Sequence, residues 1–99
     1  MNIKLINGGQ EAELVLEGRL DSMTSQDAED IFLKTAERFE KLTLNMAGVE
    51  YISSAGLRVI KRLYMAMNKK GGSLTLSNVR KMVMEVFEMT GFVGFLTIK

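Results

Sequence analysis

The stretch LTLNMAGVEYISSAGLRVIKRLYMAMNKKGGSLTL, Leu42 to Leu76, changes its hydrophobic period twice, and that change decides the fold. Leu42-Thr43-Leu44-Asn45-Met46 alternates apolar and polar residues, the pattern of a strand with one buried face. Leu57, Ile60, Tyr64 and Met67 then recur at spacings of three and four, the stripe of an amphipathic helix. Gly71-Gly72 breaks that helix near Asn68, and Ser73-Leu74-Thr75-Leu76 reads as a second strand. A strand, a helix and a strand in this order imply a parallel pair joined by a right-handed crossover. The segment from Ala47 to Ser53 reads as the connecting loop, with Val49, Tyr51 and Ile52 turned inward.

The flanking sequence extends the unit in both directions. Met1, Ile3 and Leu5 alternate, Asn7-Gly8-Gly9 tolerates positive φ, and Ala12, Leu14 and Leu16 alternate with Glu11, Glu13, Val15 and Glu17. This predicts a hairpin with one wet face. Gly18 to Ser25 reads as a polar loop ending in capping residues, followed by a helix from about 25 to 39 on Ala28, Ile31, Phe32, Thr35 and Phe39. Downstream, Val79, Met82, Val83, Val86 and Phe87 predict a third helix, with Gly91 as its capping glycine and Phe92 as the apolar partner. Phe95 to Ile98 closes the chain as a last strand. The expected architecture is α/β: a mixed, largely parallel β-sheet with three helices, in the order β-β-α-β-α-β-α-β, as one domain over residues 1–99.

Composition narrows the chemistry. The 99 residues include no Cys, His, Pro or Trp. Disulfides, thiolate nucleophiles, His-ligated metals and Ser-His-Asp triads are therefore excluded. No metal or cofactor is expected, and neither is an enzyme. No apolar run approaches the roughly 20 residues of a membrane span, and no signal-peptide pattern opens the chain, so a cytoplasmic protein is expected. The net charge is +1, but ten of the twelve acids lie between Glu11 and Glu50, and seven bases with no acid lie between Arg58 and Lys81. Without interleaved aromatics this basic run reads as a solvated helix face rather than a nucleic-acid surface.

In open α/β sheets the functional loops gather at the carboxyl ends of the parallel strands. Three such loops are expected along one edge: Asp21 to Thr24, Tyr51 to Ser54, and Ser77-Asn78. Ser53-Ser54 needs only one serine for helix capping, which is worth about 1 kcal/mol. Gly56 in the first turn costs up to about 1 kcal/mol relative to Ala, which suggests that another group approaches closely there. A helix N-terminus also tolerates a phosphate. No P-loop or GxGxxG pattern exists. Ser54 and Lys61 lie two helical turns apart, about 10 Å along the axis, too far for a nucleophile–base pair. Asp21 and Glu50 read as solvated loop acids rather than a catalytic pair. Met67 and Met82 read as core methionines, with Met84 and Met89 off the stripe.

The segment Leu44 to Arg58, read with Gly18-Arg19-Leu20-Asp21, Thr24, and Phe87 to Phe92, resembles the STAS domain of bacterial anti-sigma factor antagonists over nearly the whole chain. In that family a serine opening the second helix is phosphorylated by a partner that is both anti-sigma factor and serine kinase, and that serine matches Ser54. Ser53 stands where the family often has Asp. Asp21 matches a loop acid close to the phosphosite. The resemblance thus implies phosphorylation at Ser54 and partner contacts at Asp21, Thr24, Ser53, Gly56, Leu57 and Arg58. It also implies a serine phosphatase that resets the switch, with no direct nucleic-acid or membrane partner. The unphosphorylated form would bind the anti-sigma factor and release a sigma factor. The alternative on the same fold is a constitutive binding subunit of a lipid-transport complex or signalling scaffold, with Ser54 only a helix cap.

Overall fold

In the computed structural model, which describes all residues from Met1 to Lys99, the strand that opens at Lys41 does not stop at Met46. It continues to Ile52, so the expected loop after Met46 is strand. The elements in chain order are β1 (Asn2–Gly8), β2 (Glu11–Leu20), α1 (Ser25–Arg38), β3 (Lys41–Ile52), α2 (Ser54–Lys69), β4 (Ser73–Ser77), α3 (Lys81–Met89), a 3₁₀ turn (Phe92–Gly94) and β5 (Thr97–Ile98). The element order matches the sequence reading, with the 3₁₀ turn as an addition. That turn shortens the last strand to two residues.

The sheet order is β1-β2-β3-β4-β5, with β1 antiparallel to β2 and every later pair parallel. Because the order never reverses, right-handed crossovers place the helices on one face. One register row, Leu5, Leu14, Leu44, Leu76 and Ile98, crosses all five strands on that face. Leu14, Leu44 and Leu76 are fully buried, and Phe32, Ile60, Leu63 and Phe87 close over the core from the helices. The other face of the central strands is only half-covered, carrying Glu13, Val15, Thr43, Asn45, Thr75 and Ser77.

The misread half of β3 has a physical cause. Two bulges insert one extra residue each into β3 against β2: Val15 pairs with Asn45 but Glu17 with Gly48, and Gly18 with Val49 but Arg19 with Tyr51. Each bulge resets the alternation. The buried positions therefore run 42, 44, 46, then 49, then 52. Asn45 supports the first bulge: its Oδ1 accepts from the Ala47 amide at 3.1 Å and its Nδ2 donates to Glu13 at 2.9 Å. Val49 and Ile52 face the core as expected, whereas Tyr51 points outward and is 42% exposed.

Two further expectations change. Met82 is 70% exposed rather than core, because α3 starts at Lys81 and turns Val83 and Phe87 inward. Met89 is exposed, as its off-stripe position suggested. Gly91 does cap α3, with φ +79°, its amide donating to the Glu88 carbonyl and Phe92 stacked on Phe87 at 6.1 Å. No helix is long and apolar enough to cross a membrane.

Candidate functional site at the carboxyl end of strands two and three

β2 and β3 end side by side, with Leu20 paired to Ile52. The Ser53 amide then donates to the Leu20 carbonyl at 3.0 Å, which fastens the start of α2 to the end of β2. This brings two of the three expected loops together. The third, Ser77-Asn78, lies elsewhere. β4 ends opposite Asn45, seven residues short of Ile52, or roughly 20 Å of strand. Asn78 instead donates to Asn45 at 3.2 Å, and Arg80 to the Ala47 carbonyl at 2.7 Å.

Gly56 explains how close the two loops sit. A Cβ there would lie 2.5 Å from the Leu20 carbonyl oxygen and 2.8 Å from Ile52 Cγ1. The approaching group suspected from the sequence is thus the chain's own β2, not an outside ligand. Gly56 and Leu57 are buried, so neither presents a side chain at the surface. The missing Cβ at Gly56 lets the helix terminus sit directly against β2.

The two serines differ. Ser54 is exposed, the first residue of α2. Ser53 is the N-cap by backbone but makes no side-chain cap bond, and its Oγ is buried with no hydrogen-bond partner. Of the two, only Ser54 is exposed. It stands on the first turn of a 16-residue helix whose partial positive end favours a negative charge. Arg58, one turn further along α2, is also exposed.

On the β2 side, Asp21 and Thr24 are consumed by their own loop. Asp21 Oδ1 accepts from the amides of Met23 at 3.0 Å and Thr24 at 3.3 Å. Thr24 Oγ1 donates to the Arg19 carbonyl at 2.7 Å and accepts from the Asp21 amide at 3.0 Å. The Met23 amide is the main cause that holds the Asp21 carboxyl below its ordinary 3.8. Partial burial opposes it, and Arg19 and the Thr24 amide add to it. An ionised Asp21 therefore favours folding above that value, and the contribution disappears as the pH falls through the lower folded-state value. In an acid unfolding series, the stability advantage of wild type over Asp21→Ala is expected to shrink as the pH is lowered through the window below 3.8. A constant difference across that window would contradict the assignment.

The sequence assigns Arg19 and Tyr51 no side-chain role at the site, yet the two lie side by side at this edge. They are register partners across β2 and β3, and the Arg19 guanidinium lies 4.5 Å from the Tyr51 ring centroid and 3.3 Å from Asp21 Oδ2. Only the second bulge of β3 brings position 51 opposite 19, so a loop reading of that segment hides the pair. No group of three or more acids converges here that could hold a metal ion.

Residues 8–99 match the model of the STAS domain. The chain is 30% identical over 84 residues to BtrV of Bordetella bronchiseptica, named as an anti-sigma factor antagonist, covering 84% of this chain and 72% of that protein. It is 24% identical over 98 residues to the anti-sigma-B factor antagonist of Bacillus subtilis, covering 99% and 90%. The fold matches the Bacillus anti-sigma factor antagonist SpoIIAA in its unphosphorylated form, with TM-score 0.78 at 13% identity over 99% of this chain and 87% of that one. It matches the phosphorylated form equally, with TM-score 0.77 at 14% identity over 99% and 91%. The fold is thus shared with these proteins, and the chain belongs to the STAS domain family, among relatives named anti-sigma factor antagonists.

Proposed function

We propose that this protein is a phosphorylation-controlled anti-sigma factor antagonist. Unphosphorylated, the edge around Ser54 docks on an anti-sigma factor and displaces a sigma factor. The same partner, acting as a serine kinase, phosphorylates Ser54 and ends the interaction, and a serine phosphatase restores it. The observation that carries this reading is the contrast between the two serines: Ser54 is exposed on the first turn of α2, whereas the Ser53 hydroxyl is buried. The relatives' names and the two solved forms of SpoIIAA support it.

The physics of the switch is local. A phosphate adds about −1.5 to −2 charge. On the first turn of a helix that charge is tolerated, contributing about 0.3–1 kcal/mol of stabilisation. Within an interface the same dianion must be desolvated, so the fold survives while the docking fails, and no large rearrangement is needed. Arg58, Asp21 and Thr24 flank the serine on the docking edge, with Asp21 and Thr24 shaping the loop.

Intact mass before and after incubation with ATP and a serine-kinase-type anti-sigma factor from the source genome tests the assignment. One phosphate mapping to Ser54, and none on Ser54→Ala, is expected. Equal phosphorylation of Ser54→Ala would refute it.

A further inference from the structure

We infer that this protein associates with a second copy of itself through β1, the two first strands pairing antiparallel about Leu5 into one continuous sheet. The inference is independent of the antagonist reading above. A strand at the edge of a sheet carries unpaired amides and carbonyls along its outer side. Folded proteins blunt such edges with short strands, prolines, bulges or charges. The two edges of this sheet differ in that respect. β5 is only two residues long and comes just after the 3₁₀ turn. β1 runs for seven residues, Asn2 to Gly8, in unbroken register with β2. It has no bulge and no proline, and its one charge is Lys4. Leu5 and Ile6, on opposite faces of the sheet, are 38% and 47% exposed.

The strand is complementary to itself, which is why the occupant is a second copy. All seven residues pair only when the two-fold axis passes through the middle one, Leu5. Leu5 then stands opposite Leu5 of the second copy, Lys4 opposite Ile6, Ile3 opposite Asn7 and Asn2 opposite Gly8. The row Leu5, Leu14, Leu44, Leu76 and Ile98 continues across the junction, and the exposed Leu5 is covered by its own equivalent. The two lysines are not face to face, where like charges would be destabilising. An axis through Lys4 would put them there and leave Asn7 and Gly8 unpaired. An axis through Ile6 would leave Asn2 and Ile3 unpaired. A net charge of +1 per copy adds little long-range repulsion. The contact is isologous and uses the one long edge of each copy, so assembly closes at two. Glu17 pairs with Asn2, so the carboxyl end of β2 lies towards that end of β1. Antiparallel pairing therefore sets the two Ser54 edges at opposite ends of the joined sheet, and both stay open.

Sedimentation velocity of the full chain over a concentration series tests this, together with thiol crosslinking. Wild type is expected to be a concentration-dependent mixture of monomer and dimer. Ile6→Lys places a lysine against Lys4 of the second copy, twice in each dimer, and is expected to weaken association at least about fivefold. Ile6→Glu places the opposite charge there and is expected to stay within about threefold of wild type. Both change an exposed side chain, and thermal melts check that both fold. The chain has no cysteine, so one introduced thiol reports the register. In a glutathione redox buffer, Leu5→Cys is expected to form a disulfide-linked dimer. The two thiols of Asn7→Cys would lie about 13 Å apart along the strands and are expected to stay unlinked, pairing only when mixed with Ile3→Cys. A wild type that remains monomeric up to millimolar concentration would overturn the inference. So would Asn7→Cys linking as readily as Leu5→Cys, or Ile6→Lys associating as well as Ile6→Glu.

Discussion

Phosphorylation of Ser54 is expected to lower affinity for the anti-sigma partner several hundredfold while leaving the melting temperature almost unchanged. Ser54→Asp is expected to lower it at least about tenfold. The two halves of this result come from one position seen in two environments. In the free protein Ser54 is exposed on the first turn of α2, where solvent and the helix dipole both accept an anion. In the proposed complex the same group would be pressed against another surface. An uncompensated interfacial dianion that costs about 3–4 kcal/mol reduces affinity by a factor of several hundred. A single carboxylate costs less, which is why the aspartate variant is the weaker mimic. Calorimetric titration beside thermal melts of the same samples separates the two effects. A large fall in melting temperature would mean that the modification breaks the fold instead.

Gly56→Ala is expected to cost about 2 kcal/mol of stability, lowering the melting temperature by about 8–16 °C for a domain of this size. Two effects of opposite sign compete. Alanine in place of glycine gains up to about 1 kcal/mol of helix propensity. Against that, the new Cβ would stand 2.5 Å from the Leu20 carbonyl oxygen and 2.9 Å from Leu20 Cγ, and backbone on one side cannot swing aside as a flexible side chain does. Overpacking of this kind costs about 1–3 kcal/mol, and here the clash is deep enough that it wins. The relief available is to push α2 away from β2, which stretches the Ser53 amide to Leu20 carbonyl bond. Chemical denaturation of wild type and variant measures the cost. A Gly56→Ala protein as stable as wild type would show that the helix does not sit as closely on β2 as described.

These expectations show how far the residues speak for themselves. Alternation at Leu42, Leu44 and Met46, the stripe at Leu57, Ile60 and Met67, and the capping pair Gly91 and Phe92 are local patterns that read correctly, whereas the stripe of α3 misassigns Met82, which is exposed. What stayed hidden is non-local. The continuation of β3 through Ala47 to Ile52 depends on two bulges that exist only because β2 lies alongside, and the Asn45 side chain that supports the first cannot be assigned that job before its neighbours are known. The Arg19–Tyr51 pair follows from the second bulge. The misplacement of Ser77-Asn78 follows from a short β4 beside a long β3, a mismatch of lengths that no single strand reveals. Gly56 lies between the two cases: its helix-interior glycine signalled a close approach, and the structure identifies the approaching group as Leu20.

The central claim is that one hydroxyl on the first turn of α2 decides whether this domain can displace a sigma factor. The most direct measurement is sigma-factor release from a preformed sigma–anti-sigma complex, titrated with the same preparation of this protein before and after stoichiometric phosphorylation of Ser54. The unphosphorylated protein is expected to release sigma factor, and the phosphorylated protein to require several hundred times the concentration. Equal release by the two forms would contradict the account.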